Sequence, residues 1–214
     1  MINMYELLTS QLSTEITTVV VFAASLLLAV VMSNRYMKKR SIPLLFWSAG
    51  MWLFSLGVLM EIVFALGIYS QLLADSYLLV VALLVNVLAL GSIQLVSSKR
   101  IKKSYYAFSI VSVFLLLYSL ATTNQGNMIQ NYVLAGVPAV SVIIASSLIT
   151  FPAAAILLVV AYLGYRKRKD KRLLSIIAGV IIVSVAGTLY IAAYPAFLYL
   201  AEVAGIALLW YGFM

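Results

Sequence analysis

Apolar positions in this chain fall into seven long blocks separated by short polar interruptions. A helix crossing about 30 Å of hydrocarbon needs about 20 such residues. The blocks at 16–33, 44–67, 74–96, 105–122, 137–164, 173–193 and 196–214 come near or above that length. The pattern therefore predicts an all-α integral membrane protein, a seven-transmembrane-helix bundle forming one membrane domain over 1–214. The first block is short and needs little tilt. The fifth is long and is expected to tilt or kink.

The interruptions are of two kinds. All fourteen Lys and Arg residues lie in three patches: Arg35, Lys38, Lys39 and Arg40; Lys99, Arg100, Lys102 and Lys103; and Arg166, Lys167, Arg168, Lys169, Lys171 and Arg172. The loops at 34–43, 97–104 and 165–172 hold these cations and one acid, Asp170. The segments at 68–73 and 123–136 and the turn at Tyr194-Pro195 hold no cation. Short basic loops stay on the cytoplasmic side, so the alternation predicts an N-terminus outside and a C-terminus in the cytoplasm of a plasma-membrane protein. Topology accounts for the basic patches, which also suit anionic lipid headgroups or an acidic partner. Segment 123–136, rich in Asn, Gln and Gly, is expected to be an irregular connector, long enough to fold over an outer vestibule.

Composition agrees. The chain is 65% apolar and 9% charged over 214 residues, with mean hydropathy +1.12, whereas soluble domains carry roughly 25% charged residues. Lipid must solvate that much apolar surface, and the bilayer is the first partner expected. A pI near 9.7 would suggest nucleic acid in a soluble chain. Here the cations stand where helices enter the cytoplasm, so no nucleic-acid partner is expected. Residues 1–15 contain Glu6 and Glu15 and no cation, which argues against a secretory signal and for a retained first helix.

Cys and His are absent, which excludes disulfides, thiolate metal sites and haem or zinc held by imidazole. No metal or other cofactor is expected. The apolar blocks carry no Lys for a retinal Schiff base, no paired Asp of an intramembrane protease and no Gly-rich phosphate loop. An enzyme is not expected.

Polar residues inside the blocks are the candidates for function. Glu61 and Glu202 are the acids deepest within apolar segments, and such residues usually face a bundle interior or a cavity. At ~1.5 Å per residue, Glu61 lies roughly 25 Å outward along the second helix and Glu202 roughly 9 Å below the outer surface on the seventh, so the two share a depth. Two nearby carboxyls with no cation at that level are expected to share a proton, bind a cation or receive hydrogen bonds from Tyr190, Tyr194 or Tyr199. Asn86 in the third helix seeks an interhelical partner. Ser146, Ser147 and Thr150 precede Pro152, where Ser or Thr can re-satisfy a freed carbonyl. Ser184 and Thr188 share a helix face. These positions either pack helices or line an outward-facing polar cavity. Ala201 and Gly205, with Gly212 one heptad on, permit close backbone approach.

The basic loop followed by Phe46-Trp47, the late acid Glu61, Leu90-Gly91-Ser92 and the closing Glu202, Gly205 and Gly212-Phe213 resemble small seven-helix membrane proteins of prokaryotes, including the sensor modules that precede histidine kinases. The resemblance implies a sensory role but supplies no catalytic residue, and no output domain is expected after the seventh helix. The function expected from the sequence is a receptor-like module. It would bind a small apolar or neutral ligand in an outward-facing cavity through Glu61, Asn86, Thr150, Ser184, Thr188 and Glu202, and signal through a separate membrane or cytoplasmic protein. The alternatives are a carrier or channel for a cation, proton or neutral solute using Glu61 and Glu202, and an accessory subunit of a larger membrane complex.

Overall fold

The computed structural model describes the backbone of residues 11–124, 129–130, 133–134, 137–191 and 196–213; the side chains of 11–15, 129–130, 133–134, 168, 180, 183–191, 196–200 and 213 lie outside the description. The described helices are α1 (Gln11–Lys39), α2 (Ile42–Ala65), α3 (Gln71–Ile93), α4 (Lys99–Thr122), α5 (Val140–Arg168), α6 (Lys171–Ile191) and α7 (Ala196–Phe213). Strands β1 (Ile129–Gln130) and β2 (Val133–Leu134) pair antiparallel between α4 and α5. Among the described residues, five helices are long and apolar enough to cross a bilayer: Ile16–Lys39, Ile42–Ala65, Gln71–Ile93, Lys99–Thr122 and Val140–Lys167. In α7 the described apolar stretch is the shorter Ala201–Gly212. By length and composition this is a multi-pass membrane protein.

Local chemistry sets the ends. Ser70 and Ser98 cap α3 and α4, their hydroxyls accepting from the amides of Leu73 and Ile101. Pro43 stands in the first turn of α2, where its missing N–H costs no helix bond. Gly67 turns the chain after α2 with φ +78, a left-handed conformation that a side chain disfavours.

The basic patches differ from expectation. Sequence placed them in loops of eight to ten residues, but most of their cations are helical. α1 continues to Lys39 and α5 to Arg168, so the links shrink to Arg40-Ser41 and Lys169-Asp170, with Arg40 (φ 50) and Lys169 (φ 55) taking left-handed conformations. Hydropathy marks where hydrocarbon ends, not where a helix ends. Lys and Arg are good helix formers and favour helix C-termini, so both helices run on past the apolar block. α5 also continues through Pro152. Ser146 bonds the Ile143 carbonyl at 3.1 Å, more than a turn before the Leu148 carbonyl that Pro152 leaves without a donor.

The packing forms a ring. α1 packs on α2, α2 on α3, α3 on α5, α5 on α6, α6 on α7, and α7 closes back on α1. Trp210 Nε1 fastens the closure, donating to the Ala24 carbonyl at 3.0 Å. α4 stands outside, docked against α3 and α5. β2 lies against α2, not only beside the two helices it stands between in sequence.

Polarity is inverted relative to a soluble protein. On α4 the buried stripe is Tyr105, Ser109, Ser112, Leu116, Ser119 and Leu120, at helical spacing. Its outward face carries Ile110, Phe114 and Tyr118, the last 71% exposed. Phe151, Leu72 and Val140 are similarly exposed, while Glu61, Asn86, Ser55, Ser92 and Glu202 are buried. Water does not tolerate an apolar exterior of this extent, whereas lipid does, and small polar residues then join helices.

Glycine sets the closest approaches. A Cβ at Gly212 would overlap the Ile176 side chain and sit 3.1 Å from the Arg172 carbonyl. One at Gly179 would lie 3.4 Å from the Gly205 carbonyl. Of the small residues expected to bring α7 close to a neighbour, Gly205 and Gly212 do so, and the neighbour is α6.

Candidate functional site

Two features occupy the bundle. The first is a buried polar cluster. Glu61 on α2 and Glu202 on α7 are 4% and 6% exposed, and their carboxyl groups adjoin. Tyr77 on α3 donates its hydroxyl to Glu61 Oε1 at 2.6 Å. The Tyr77 ring meets Phe64 edge-on at 5.6 Å, which fixes the hydroxyl's direction. Among the described residues, Glu61 Oε2 and Glu202 Oε2 accept no hydrogen bond. Two ionised carboxylates do not rest against each other in a buried site without a compensating cation. A proton or a small cation shared by the two carboxyls resolves the contact. The equal depth read from sequence thus becomes contact in the structure. Tyr77 escapes the sequence pattern, because a tyrosine toward the end of an apolar block reads as an interfacial anchor. The available signal is its place level with Glu61 across the α2–α3 turn.

The second feature is a cavity of about 1030 Å³, at the upper end of the roughly 300–1,000 Å³ usual for ligand sites. All six ring helices contribute, among them Met32 of α1, Met51 and Phe54 of α2, Leu88 of α3, Leu157 of α5 and Leu209 of α7. Arg35, Lys39 and Lys167 line it at the basic end, with Ser41, Ser97 and Ser98 nearby in the lining. It therefore opens at the end opposite the outward-facing cavity expected from sequence. Its deepest lining residues on three helices are Phe54, Leu84 and Leu209. Glu61, Tyr77 and Glu202 lie two turns further along the same helices, roughly 10 Å at ~1.5 Å per residue. Buried Val58, Val80 and Ile206 occupy the intervening turns. The polar cluster thus closes the ring's interior beyond the cavity's blind end.

The other expected site residues fall elsewhere. Asn86 binds α4: its Nδ2 donates to Ser109 Oγ at 2.6 Å and its Oδ1 accepts from Tyr105 Oη at 3.1 Å. It holds the peripheral helix on the ring. Thr150 is half-buried on α5 and is absent from the cavity lining. The side chains of Ser184, Thr188, Tyr190, Tyr194 and Tyr199 lie outside the described residues. Sequence reasoning missed the cavity's walls because apolar residues facing a void and apolar residues facing lipid carry the same pattern. Trp47 and Ser92 came closest to a signal. The indole donates to the Ser92 hydroxyl at 3.2 Å, and both line the cavity.

No family model, curated protein or solved structure matches the chain. Any functional reading therefore rests on these residues.

Proposed function

We propose that this chain is a seven-span plasma-membrane protein, N-terminus outside, that binds a small ligand within its helical ring and acts as a receptor-like module. Occupancy would be passed to a separate membrane or cytoplasmic protein on the basic face, and no catalytic step is assigned. The cavity enclosed by six helices is the observation that carries this reading. Its lining elements are those that a ligand would draw together or hold apart, and its mouth lies beside the cationic links where a partner would dock. The positive-inside rule supports the orientation.

Two measurements test it. An impermeant amine reagent applied to intact cells is expected to leave Lys38, Lys102 and Lys169 unmodified until the membrane is opened; modification in sealed cells overturns the orientation. A neutral apolar dye, N-phenylnaphthylamine, is expected to bind the purified protein and to lose at least about tenfold in affinity in Ala161→Trp and in Met51→Trp, which fill the cavity from α5 and α2. Unchanged binding in both folded variants overturns the ligand reading.

A second reading has its own support. The adjoining carboxyls of Glu61 and Glu202, each with a free oxygen, suit a site that takes up and releases a proton or a cation, as a small carrier requires.

A further inference from the structure

We propose that the cavity is a binding site for a membrane lipid whose headgroup is a phosphate monoester, drawn from the leaflet on the basic side. This rests on the ligand-binding reading above and names the ligand's class.

The lining divides sharply along the bundle axis. From Phe54, Leu84 and Leu209 down to Leu44, Leu88 and Leu157 the walls are almost wholly apolar. Cations appear only at the mouth, where Arg35 and Lys39 come from the end of α1 and Lys167 from the end of α5. A soluble anion would leave the apolar length empty, and a hydrocarbon would make no use of the cations. An amphiphile fills both. The α2 wall runs from Ser41 to Phe54, about 20 Å at ~1.5 Å per residue, which is an acyl chain's reach into one leaflet.

The mouth also selects the headgroup. Three cations stand around it together with the start of α2, a 24-residue helix whose N-cap Ser41 makes no side-chain bond to the helix's own amides. A helix N-terminus favours anions. A carboxylate brings one negative charge, whereas a phosphate monoester brings about −1.5 to −2 near neutral pH. A choline headgroup would set its quaternary ammonium against Arg35, Lys39 and Lys167. The charge and depth of the site therefore favour a phosphomonoester lipid over fatty acids and over zwitterionic lipids.

The test uses the full chain purified in an uncharged detergent, with phosphatidic acid as the probe and phosphatidylcholine of the same chains as the comparison. Retention is read by native mass spectrometry and affinity by thermal shift. Phosphatidic acid is expected to bind at least about tenfold more tightly than phosphatidylcholine. Lys39→Gln/Lys167→Gln is expected to lose most of that preference while still binding N-phenylnaphthylamine. Lys38→Gln/Lys171→Gln removes the same charge from exposed positions outside the cavity and should keep the preference. Equal losses in the two double variants would mean a diffuse surface field and overturn the site. Equal affinity for the two lipids would overturn the ligand class while leaving the receptor reading standing. Competition by inorganic phosphate as effective as that by phosphatidic acid would show that no acyl chain enters. If Ala161→Trp and Met51→Trp leave dye binding untouched, it is the underlying ligand reading that fails.

Discussion

Glu61→Ala should be among the most destabilising single substitutions in the ring. It strips the Tyr77 hydroxyl of its acceptor, 2.6 Å away, and leaves the Glu202 carboxyl buried beside a void. Each buried polar group deprived of one partner costs about 1–3 kcal/mol, so the expected loss is roughly 2–5 kcal/mol, read as a lowered thermal midpoint in detergent. Tyr77→Phe should fall between Glu61→Ala and the unmodified protein, since it removes one donor and no carboxyl. Glu202→Gln should be as stable as the parent or more so by ~1 kcal/mol, because its amide can donate to the adjoining Glu61 carboxyl. The order of these three is decisive: a Glu202→Gln variant weaker than Glu61→Ala would contradict the contact between the carboxyls. The same variants separate the two functional readings. A proton or cation carrier predicts flux in proteoliposomes that collapses in Glu61→Gln and in Glu202→Gln. A receptor predicts no flux in any of them, with dye binding intact in both.

The second large effect is expected at Gly91→Val. A Cβ there would stand 2.6 Å from Trp47 Cδ1, 2.7 Å from its Nε1 and 3.0 Å from the Phe46 Cβ. Making room would turn the indole and break its Nε1 bond to Ser92. Overpacking of this kind costs typically about 1–3 kcal/mol, and the displaced hydrogen bond adds about 1. Trp47 and Ser92 also line the cavity, so N-phenylnaphthylamine binding should fall with stability. Gly57→Ala is the control. It sits in the same helix pair, yet its Cβ would meet only Val80 Cγ1 at 3.8 Å, and it should be close to neutral. Equal effects at the two positions would mean that α2 and α3 do not approach each other closely at Gly91.

What could be read from the chain alone follows from which forces act locally. Helix number and approximate extent were legible because hydrocarbon requires unbroken apolar length, which is written residue by residue. The ends were less so: α1 and α5 carry their cations as extra helical turns, and nothing in hydropathy separates Lys39 in a helix from Lys39 in a loop. Glu61 and Glu202 were legible because a carboxyl in lipid is costly enough to demand a reason. Asn86 was legible as a polar residue in need of a partner, but its bonds to Ser109 and Tyr105 were not, because they depend on which helix docks beside α3. The order of helices around the ring, with α4 excluded and α7 closing on α1, is a tertiary fact that no local signal encodes. The cavity follows from that order, so it too was invisible.

The pairing of Glu61 with a residue on the final helix bears on how the protein is made. During synthesis α2 and α3 enter the bilayer long before α7, so Tyr77 is the only described partner available to Glu61 in the nascent chain. A product that lacks α7 therefore keeps the Tyr77 bond to Glu61 but lacks the Glu202 carboxyl that adjoins it in the full ring.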